Sequence, residues 1–187
     1  MPGEQESGDL HLLKEFEGGA LIAVVDGLGH GHEARVAAER ATTILSAHTD
    51  ESIVALIRRC HQALRMTRGA VLGLASFSTG GALAWIGVGN IDGAILSPRS
   101  DGRVERKNLF SLGGLLGSHL PTLNPLRAQA RRDDLLVLAT DGIDAGFLED
   151  VAVEKPAQAI ADDILARYAL RSDDALVLVA RFLGRAR

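Results

Sequence analysis

Short apolar runs separated by turn residues make up most of the chain. The most continuous of them occupies residues 20–25 and stops at Asp26, and glycines follow at positions 27, 29 and 31. A short apolar run bounded by turn residues predicts a strand that is buried on both faces. The preceding segment, 9–16, alternates loosely between apolar and polar residues, and Glu17-Gly18-Gly19 supplies turn residues. Together these segments predict a β-hairpin.

Three segments have helical character instead. Residues 32–48 are rich in Ala, Glu and Arg, which favours a helix. A second helix is predicted from Asp50 and Glu51 onward. Its apolar residues follow the spacing of one buried stripe: Ile53, Leu56, Ile57, Cys60 and Leu64. Residues 156–170 predict a third helix, with Pro156 near its first turn.

After Gly69, short apolar segments alternate with turn signals. These segments are GAVLGLASF, GALAWIGVGN, GAILSP, RVERKN, LRAQA and LLVLAT. Their short separations favour antiparallel pairing, because parallel neighbours need a crossover of about a dozen residues. Residues 113–125 are interpreted as a surface loop and 175–183 as a last strand. The order predicts an α+β fold with helices covering antiparallel sheet, in one domain over residues 1–187.

Composition and charge narrow the class of protein. The net charge of −4 gives no indication of a nucleic-acid partner. The single cysteine, Cys60, excludes an intramolecular disulfide and suits a reducing compartment. No apolar run has membrane-spanning length, and the N-terminal residues lack the pattern of a signal peptide. We therefore expect a cytoplasmic protein with no membrane partner.

Carboxylates at the ends of apolar runs are the candidate chemistry. Asp92-Gly93 and Asp101-Gly102 lie between short segments and are interpreted as plain hairpin turns. Asp26-Gly27 and Asp141-Gly142 differ, because each closes a wholly apolar run. A charge at the end of a buried strand is costly unless it is paired or bound to a cation. Taken singly, either aspartate could equally be structural.

Asp173 and Asp174 precede a third apolar run, where Asp174 could mark only the start of a strand. If Asp26, Asp141 and Asp173 converge, their carboxylates and the carbonyl of Gly27 offer an all-oxygen site. Such a site suits Mg(II) or Mn(II) rather than zinc. Two such ions could hold a bridging hydroxide for in-line attack on a phosphate.

Two other interpretations of the glycine-rich loop are weaker. His30 and His32 form an H-x-H pair that suggests zinc, but no Cys or further His lies at a helpful spacing. The strand, loop and helix also resemble a dinucleotide-binding fingerprint. The position of its third glycine is occupied by His32, and the chain lacks the alternating βαβ pattern of a parallel sheet.

Six short motifs in order carry a resemblance to a known family. They are SGD at 7–9, VVDGLGHG at 24–31, RGAVLGLA at 68–75, GVGN at 87–90, ATDGI at 139–143 and SDDALVLVAR at 172–181. The sequence resembles the metal-dependent protein phosphatase 2C (PPM) superfamily in its bacterial SpoIIE-type branch. RGAVLGLA with GVGN, and the absence of an attached sensory or membrane domain, make it most similar to the stand-alone phosphatase of stressosome signalling.

The resemblance implies a four-layer αββα sandwich of antiparallel sheets flanked by helix pairs, with two Mn(II) or Mg(II) ions at one edge. It implies direct metal ligands at Asp26, Gly27, Asp141 and Asp173, with Asp9 acting through water. The three direct carboxylates would be catalytic through the metals. The implied substrates are phosphoserine and phosphothreonine on STAS-domain proteins of the stressosome.

The sequence departs from the eukaryotic members of the superfamily in three ways. Residues 1–8 contain no arginine to grip phosphate, and 67–76 contain no carboxylate for a third metal. His30 lies four residues after Asp26 rather than two, so a general-acid role does not carry over. Two alternative functions stay open: a catalytically inactive phosphoprotein-binding module of the same fold, and a small-molecule phosphohydrolase.

Overall fold

The computed structural model describes residues 6–170 and 173–184. In these residues ten β-strands and three α-helices are present, together with a short 3-10 helix, Ala145–Leu148. The strands are β1 (Asp9–Phe16), β2 (Gly19–Gly27), β3 (Ala70–Ser78), β4 (Ala82–Val88), β5 (Asp92–Pro98), β6 (Val104–Leu109), β7 (Ser111–Leu112), β8 (Leu126–Gln129), β9 (Leu135–Ala139) and β10 (Val177–Arg181). The helices are α1 (His32–Ala47), α2 (Ile53–Leu64) and α3 (Ala157–Tyr168).

The strands form two sheets. The first has six strands in the order β1-β2-β3-β4-β7, with β8 also paired to β4, and the second has the order β10-β9-β5-β6. The β4–β7 pair is parallel, and the other pairs are antiparallel. The predicted hairpin of β1 and β2 is confirmed, and Gly18 makes its turn at a φ of 92°.

Alternation along β2 divides the interior into two parts. Leu21, Ala23 and Val25 pack on one face against α1 and α2. Ile22 and Val24 point to the other face and pack against the second sheet. On the far side of that sheet, β9 packs against α3 and the 3-10 helix, which form the outer layer there. The result is the predicted four-layer α+β arrangement, with the first sheet covered by two α-helices.

The predicted helices are confirmed with small shifts in their ends. In α2 the apolar stripe predicted from the sequence is fully buried, including Cys60. This helix begins at Ile53 rather than at the acidic residues, because the side chain of Ser52 accepts a hydrogen bond from the amide of Ala55 at 3.3 Å and caps the helix.

Two interpretations of turns and loops were wrong. Asp92-Gly93 is no hairpin turn, because it begins β5, which pairs with β9 in the second sheet while β4 lies in the first. Residues 113–125 are not wholly a surface loop, since Leu116 is completely buried and bridges to Ala70. Asp101-Gly102 does form the predicted turn between β5 and β6.

Across the described ranges, the structure contains no helix with the length and apolar character required to cross a membrane. The assignment of residues 1–187 to a single domain stays a prediction.

Candidate metal centre

The β1–β2 hairpin places two carboxylates side by side. Asp9 lies opposite Asp26 in the strand register, and the charge of Asp9 acts directly on the carboxyl of Asp26. Alternation puts Asp26 on the same face of β2 as Ile22 and Val24, so it points into the space between the two sheets. Asp9 is only 6% exposed and Asp26 is partly buried. Two acidic groups are therefore held at one end of the inter-sheet core.

The second sheet supplies Thr140 at the end of β9. Its hydroxyl donates to Asp9 Oδ2 at 2.7 Å and accepts from the amide of Leu176 at 3.0 Å. Thr140 is 1% exposed, and its own amide donates to the carbonyl of Leu176. One side chain thus joins β1, β9 and the segment before β10, and it sets the position of Asp141 next along the chain.

Asp141 and Asp173 are exposed, in contrast to Asp9. The carboxylate of Asp141 accepts a hydrogen bond from Asn90 Nδ2 at 2.6 Å. Asp174 has a different role, because its Oδ2 accepts from the amide of Gly8 at 2.7 Å and ties this loop to the start of β1. Two carboxylates therefore lie on the open side of the same edge.

Burial and repulsion by neighbouring carboxylates raise the pKa of Asp9, Asp26 and Asp141. Burial, followed by the charges of Asp9, Asp141 and Asp173, raises the pKa of Asp26 to about 8. The pKa of Asp9 is raised to about 6, chiefly by burial and with Thr140 opposing the shift. Burial and then Asp173 also raise the pKa of Asp141. Aspartates 9, 26, 141 and 173 thus act on one another as a single group of carboxylates, the acidic edge.

Glycines allow the backbone to pack closely around the acidic edge. A Cβ on Gly27 would overlap the backbone of Ala34 at the start of α1, so only glycine fits there. A Cβ on Gly142 would likewise overlap the backbone carbonyl oxygen of Asp174. The two Asp-Gly pairs singled out in the sequence are therefore sites of tight backbone contact as well as ends of apolar strands.

The donor chemistry of the acidic edge fits a hard divalent cation. Carboxylate and carbonyl oxygens are the ligands that Mg(II) and Mn(II) prefer. Burial and neighbouring carboxylates raise the pKa of Asp26, so its ionised form is unfavourable without compensating positive charge. In residues 6–170 and 173–184, no three His, Cys, Asp or Glu side chains already surround one point as a finished metal site. Asp9 instead accepts a hydrogen bond from Thr140, and Asp141 accepts one from Asn90.

The H-x-H pair does not build a zinc site in the described part of the chain. His32 Nδ1 lies 3.1 Å from Glu6 Oε2 at the surface, and His30 is also exposed. No further His or Cys joins them in a metal-binding group among the residues described.

Two side chains at the acidic edge, Thr140 and Asn90, were not among the candidate site residues predicted from the sequence. Thr140 lies two residues after Leu138, which faces the inter-sheet core, so alternation along β9 was a signal for its direction. Asn90 ends the GVGN motif, but its meeting with Asp141 depends on the packing of two sheets and had no local signal.

The sequence profile described as "Stage II sporulation protein E (SpoIIE)" matches residues 17–183. The chain belongs to the SpoIIE family. The predicted membership of the SpoIIE-type branch of the PPM superfamily is therefore confirmed, and so is the predicted fold class.

Individual SpoIIE-family relatives agree with this. The phosphoserine phosphatase RsbX of Bacillus subtilis (strain 168) is 22% identical over 142 residues, which cover 75% of this chain and 69% of RsbX. A crystal structure of RsbX in complex with magnesium has a TM-score of 0.82 at 21% identity, covering 95% of this chain and 87% of that one. The predicted similarity to a phosphatase of the RsbX type is confirmed.

A third relative has higher identity. It comes from a study of the bacterial stressosome as a modular system adapted to control secondary messenger signalling. Its structure is 34% identical with a TM-score of 0.85, and the match covers 96% of this chain and 93% of that one. Family and relatives support a protein phosphatase, while the ligand roles of the acidic edge stay a prediction.

Proposed function

We propose that this chain is a metal-dependent serine/threonine phosphoprotein phosphatase with its active site at the acidic edge. The observation that carries the proposal is the meeting of Asp9, Asp26, Asp141 and Asp173 at one end of the inter-sheet core. Burial and repulsion raise the pKa of Asp26 to about 8 there. Such a cluster is stable in its ionised form only with compensating positive charge.

The residues that would hold two Mn(II) or Mg(II) ions are Asp26, Gly27 through its carbonyl, Asp141 and Asp173, with Asp9 acting through water. When bound, these ions would supply Lewis-acid activation of water and neutralisation of phosphate charge. The magnesium complex of RsbX supports a divalent ion in this family.

The chain's own residues prepare this chemistry. Asp9 is held by the hydroxyl of Thr140 at 2.7 Å, which fixes one carboxylate between the two sheets. Gly27 has no side chain, which allows its backbone to lie against that of Ala34. The exposed positions of Asp141 and Asp173 leave the edge open on one side, so a phosphorylated residue on a protein surface could approach it.

We further propose that the substrates are phosphoserine and phosphothreonine residues on STAS-domain regulatory proteins of a stressosome. Two findings support this substrate class. The relative RsbX is a phosphoserine phosphatase, and the 34% identical structure comes from work on the bacterial stressosome. Residues 1–8 contain no arginine that could grip phosphate, which leaves part of substrate recognition to the protein partner.

The decisive test compares hydrolysis of para-nitrophenyl phosphate and of a phosphorylated STAS-domain protein, each with chelator, Mg(II) or Mn(II). We expect activity only with metal, reversible loss on chelation, and no activity in Asp26→Asn. Asp162→Asn on the exposed face of α3 is the matched control and should keep full activity.

The outcomes separate the alternatives. Turnover of the aryl phosphate without turnover of the phosphoprotein would favour a small-molecule phosphohydrolase. Binding of the phosphoprotein without hydrolysis under any condition would favour an inactive binding module. Wild-type activity in Asp26→Asn would contradict the assignment of the site.

A further inference from the structure

Asn90 lies where the chain passes from the first sheet to the second. The loop between β4 and β5 is fixed on both sides of it. The amide of Gly89 donates to the carbonyl of Leu112 at 2.8 Å, and the hydroxyl of Ser111 donates to the carbonyl of Ile91 at 2.6 Å. The side chain of Ile91 is completely buried in the inter-sheet core. Asn90 is therefore presented from an anchored backbone although its own side chain is exposed.

Gly89, the residue before Asn90, allows the backbone of this loop to adopt its conformation. Gly89 has a φ of 101°, in the left-handed region, and a Cβ there would overlap the side chain of Val71 in β3. The loop consequently turns tightly over the first residues of β3 before the chain enters the second sheet. The conformation of the Gly89-Asn90 pair is set by the packing beneath it rather than by the solvent.

The anchored loop directs the side-chain amide of Asn90 to Asp141. Asn90 Nδ2 donates to Asp141 Oδ2 at 2.6 Å, across the junction of the two sheets and between residues 51 positions apart. An amide N–H that occupies one carboxylate oxygen leaves the other oxygen available to a cation. Metal-ligating carboxylates are commonly oriented by such outer hydrogen bonds.

We propose that Asn90 is a positioning residue that fixes the orientation of the Asp141 carboxylate for divalent-metal binding. This inference rests on the proposed metal centre and adds a residue to it. Asn90 acts through Asp141, and we assign it no contact with the substrate.

A purely structural role for this hydrogen bond has a different signature. Both side chains are exposed, so the bond competes with water and contributes little to folding. Removing it should leave the stability of the metal-free protein unchanged while weakening metal binding. If the hydrogen bond served only folding, its removal would lower the stability of the metal-free protein together with its metal affinity.

The experiment is calorimetric titration of Mn(II) into metal-free wild type, Asn90→Ala and Asn108→Ala. Asn108 is an exposed asparagine in β6, a strand separated from β9 by β5, and serves as the matched control. We expect the dissociation constant of Asn90→Ala to rise about 10- to 100-fold, with no change for Asn108→Ala. The thermal unfolding midpoint of chelator-treated Asn90→Ala should match that of wild type. Its turnover of phosphoprotein should recover at saturating Mn(II).

Several results would overturn the inference. The positioning role would be wrong if Asn90→Ala bound Mn(II) with an unchanged dissociation constant. It would also be wrong if weaker binding were accompanied by a lowered thermal unfolding midpoint of the metal-free protein. A raised KM for phosphoprotein with unchanged Mn(II) affinity would make Asn90 a substrate-contacting residue instead. Failure of wild type itself to bind Mn(II) would refute the metal centre and this role together, and is recognised because the titration would show no binding in any of the three proteins.

Discussion

Neutralising Asp26 should stabilise the metal-free protein, and the gain should grow with pH. The pKa of Asp26 is raised to about 8 by burial and by its neighbours Asp9, Asp141 and Asp173. In an unfolded chain the pKa of the same carboxyl is ~3.9. The folded state therefore holds the proton more tightly than the unfolded state. The associated stability is fully present below the unfolded pKa and is lost as pH rises through about 8.

The size of the effect follows from the shift. Each pKa unit corresponds to ~1.4 kcal/mol, so retaining Asp26 costs the metal-free protein up to ~4 kcal/mol near pH 7 but only ~1.5 kcal/mol near pH 5. Asparagine has the shape of the protonated carboxyl and carries no charge, so Asp26→Asn removes this cost. Near pH 7 we expect the free energy of unfolding to rise by up to ~4 kcal/mol.

The assay is urea denaturation of wild type, Asp26→Asn and Asp162→Asn in chelator near pH 5, 7 and 8.5. As the pH rises, the free energy of unfolding of wild type should fall relative to that of Asp26→Asn. The control Asp162→Asn should change with pH as wild type does. Saturating Mn(II) should then narrow the difference near pH 7 and reverse it near pH 5, where Asp26 costs the metal-free protein only ~1.5 kcal/mol. Ligand at 100 times its dissociation constant stabilises the native state by ~2.7 kcal/mol, and only proteins with an intact site receive that gain.

Lower stability of Asp26→Asn than of wild type near pH 7 without metal would refute the electrostatic reasoning. A difference between the two proteins that does not change with pH would do the same. Stabilisation of Asp26→Asn by Mn(II) to the same extent as wild type would instead contradict its role as a ligand.

Two further substitutions test how the acidic edge is built. Gly142→Ala introduces a Cβ that overlaps the backbone of Asp174, so it should lower the free energy of unfolding by ~1–3 kcal/mol and weaken Mn(II) binding. The control is Gly113→Ala, whose Cβ would meet no atom within 4 Å. It should change neither the free energy of unfolding measured by denaturation nor the Mn(II) affinity measured by calorimetry. Thr140→Val leaves both hydrogen-bond partners of the buried hydroxyl unsatisfied, which should lower the free energy of unfolding by ~1–3 kcal/mol; a cost no larger than that of Thr43→Val on the exposed face of α1 would contradict the structural importance of that hydroxyl.

Local patterns in the sequence determined most of the secondary structure. The apolar run of β2, the turn at Gly18 and the stripe of α2 are each encoded by neighbouring residues, because alternation, turn geometry and helical spacing are short-range properties. The same local patterns selected Asp26 and Asp141. Each follows a wholly apolar run, where a charge is costly unless it is paired or bound to a cation. Asp173 was selected because it precedes a third apolar run, and the family motifs added Asp9, which no single pattern required.

The choice of sheet for each strand was decided only by the tertiary structure. Asp92-Gly93 has the composition of a hairpin turn, yet the chain crosses there to the second sheet because β5 pairs with β9. Leu116 lies in a segment with loop composition and is nevertheless buried against Ala70. Turn propensity is local, whereas burial depends on which distant surfaces meet.

The acidic edge likewise depends partly on local sequence and partly on tertiary structure. The sequence determined which carboxylates were available, but their meeting depends on contacts such as the hydrogen bond from Thr140 to Asp9, which spans 131 positions. The hydrogen bond from Asn90 to Asp141 joins the two sheets in the same way. The raised pKa of Asp26 arises from burial and from charges brought together by folding. Electrostatic energy depends on distance in space and on exclusion of water, and only the packing of the two sheets sets these quantities.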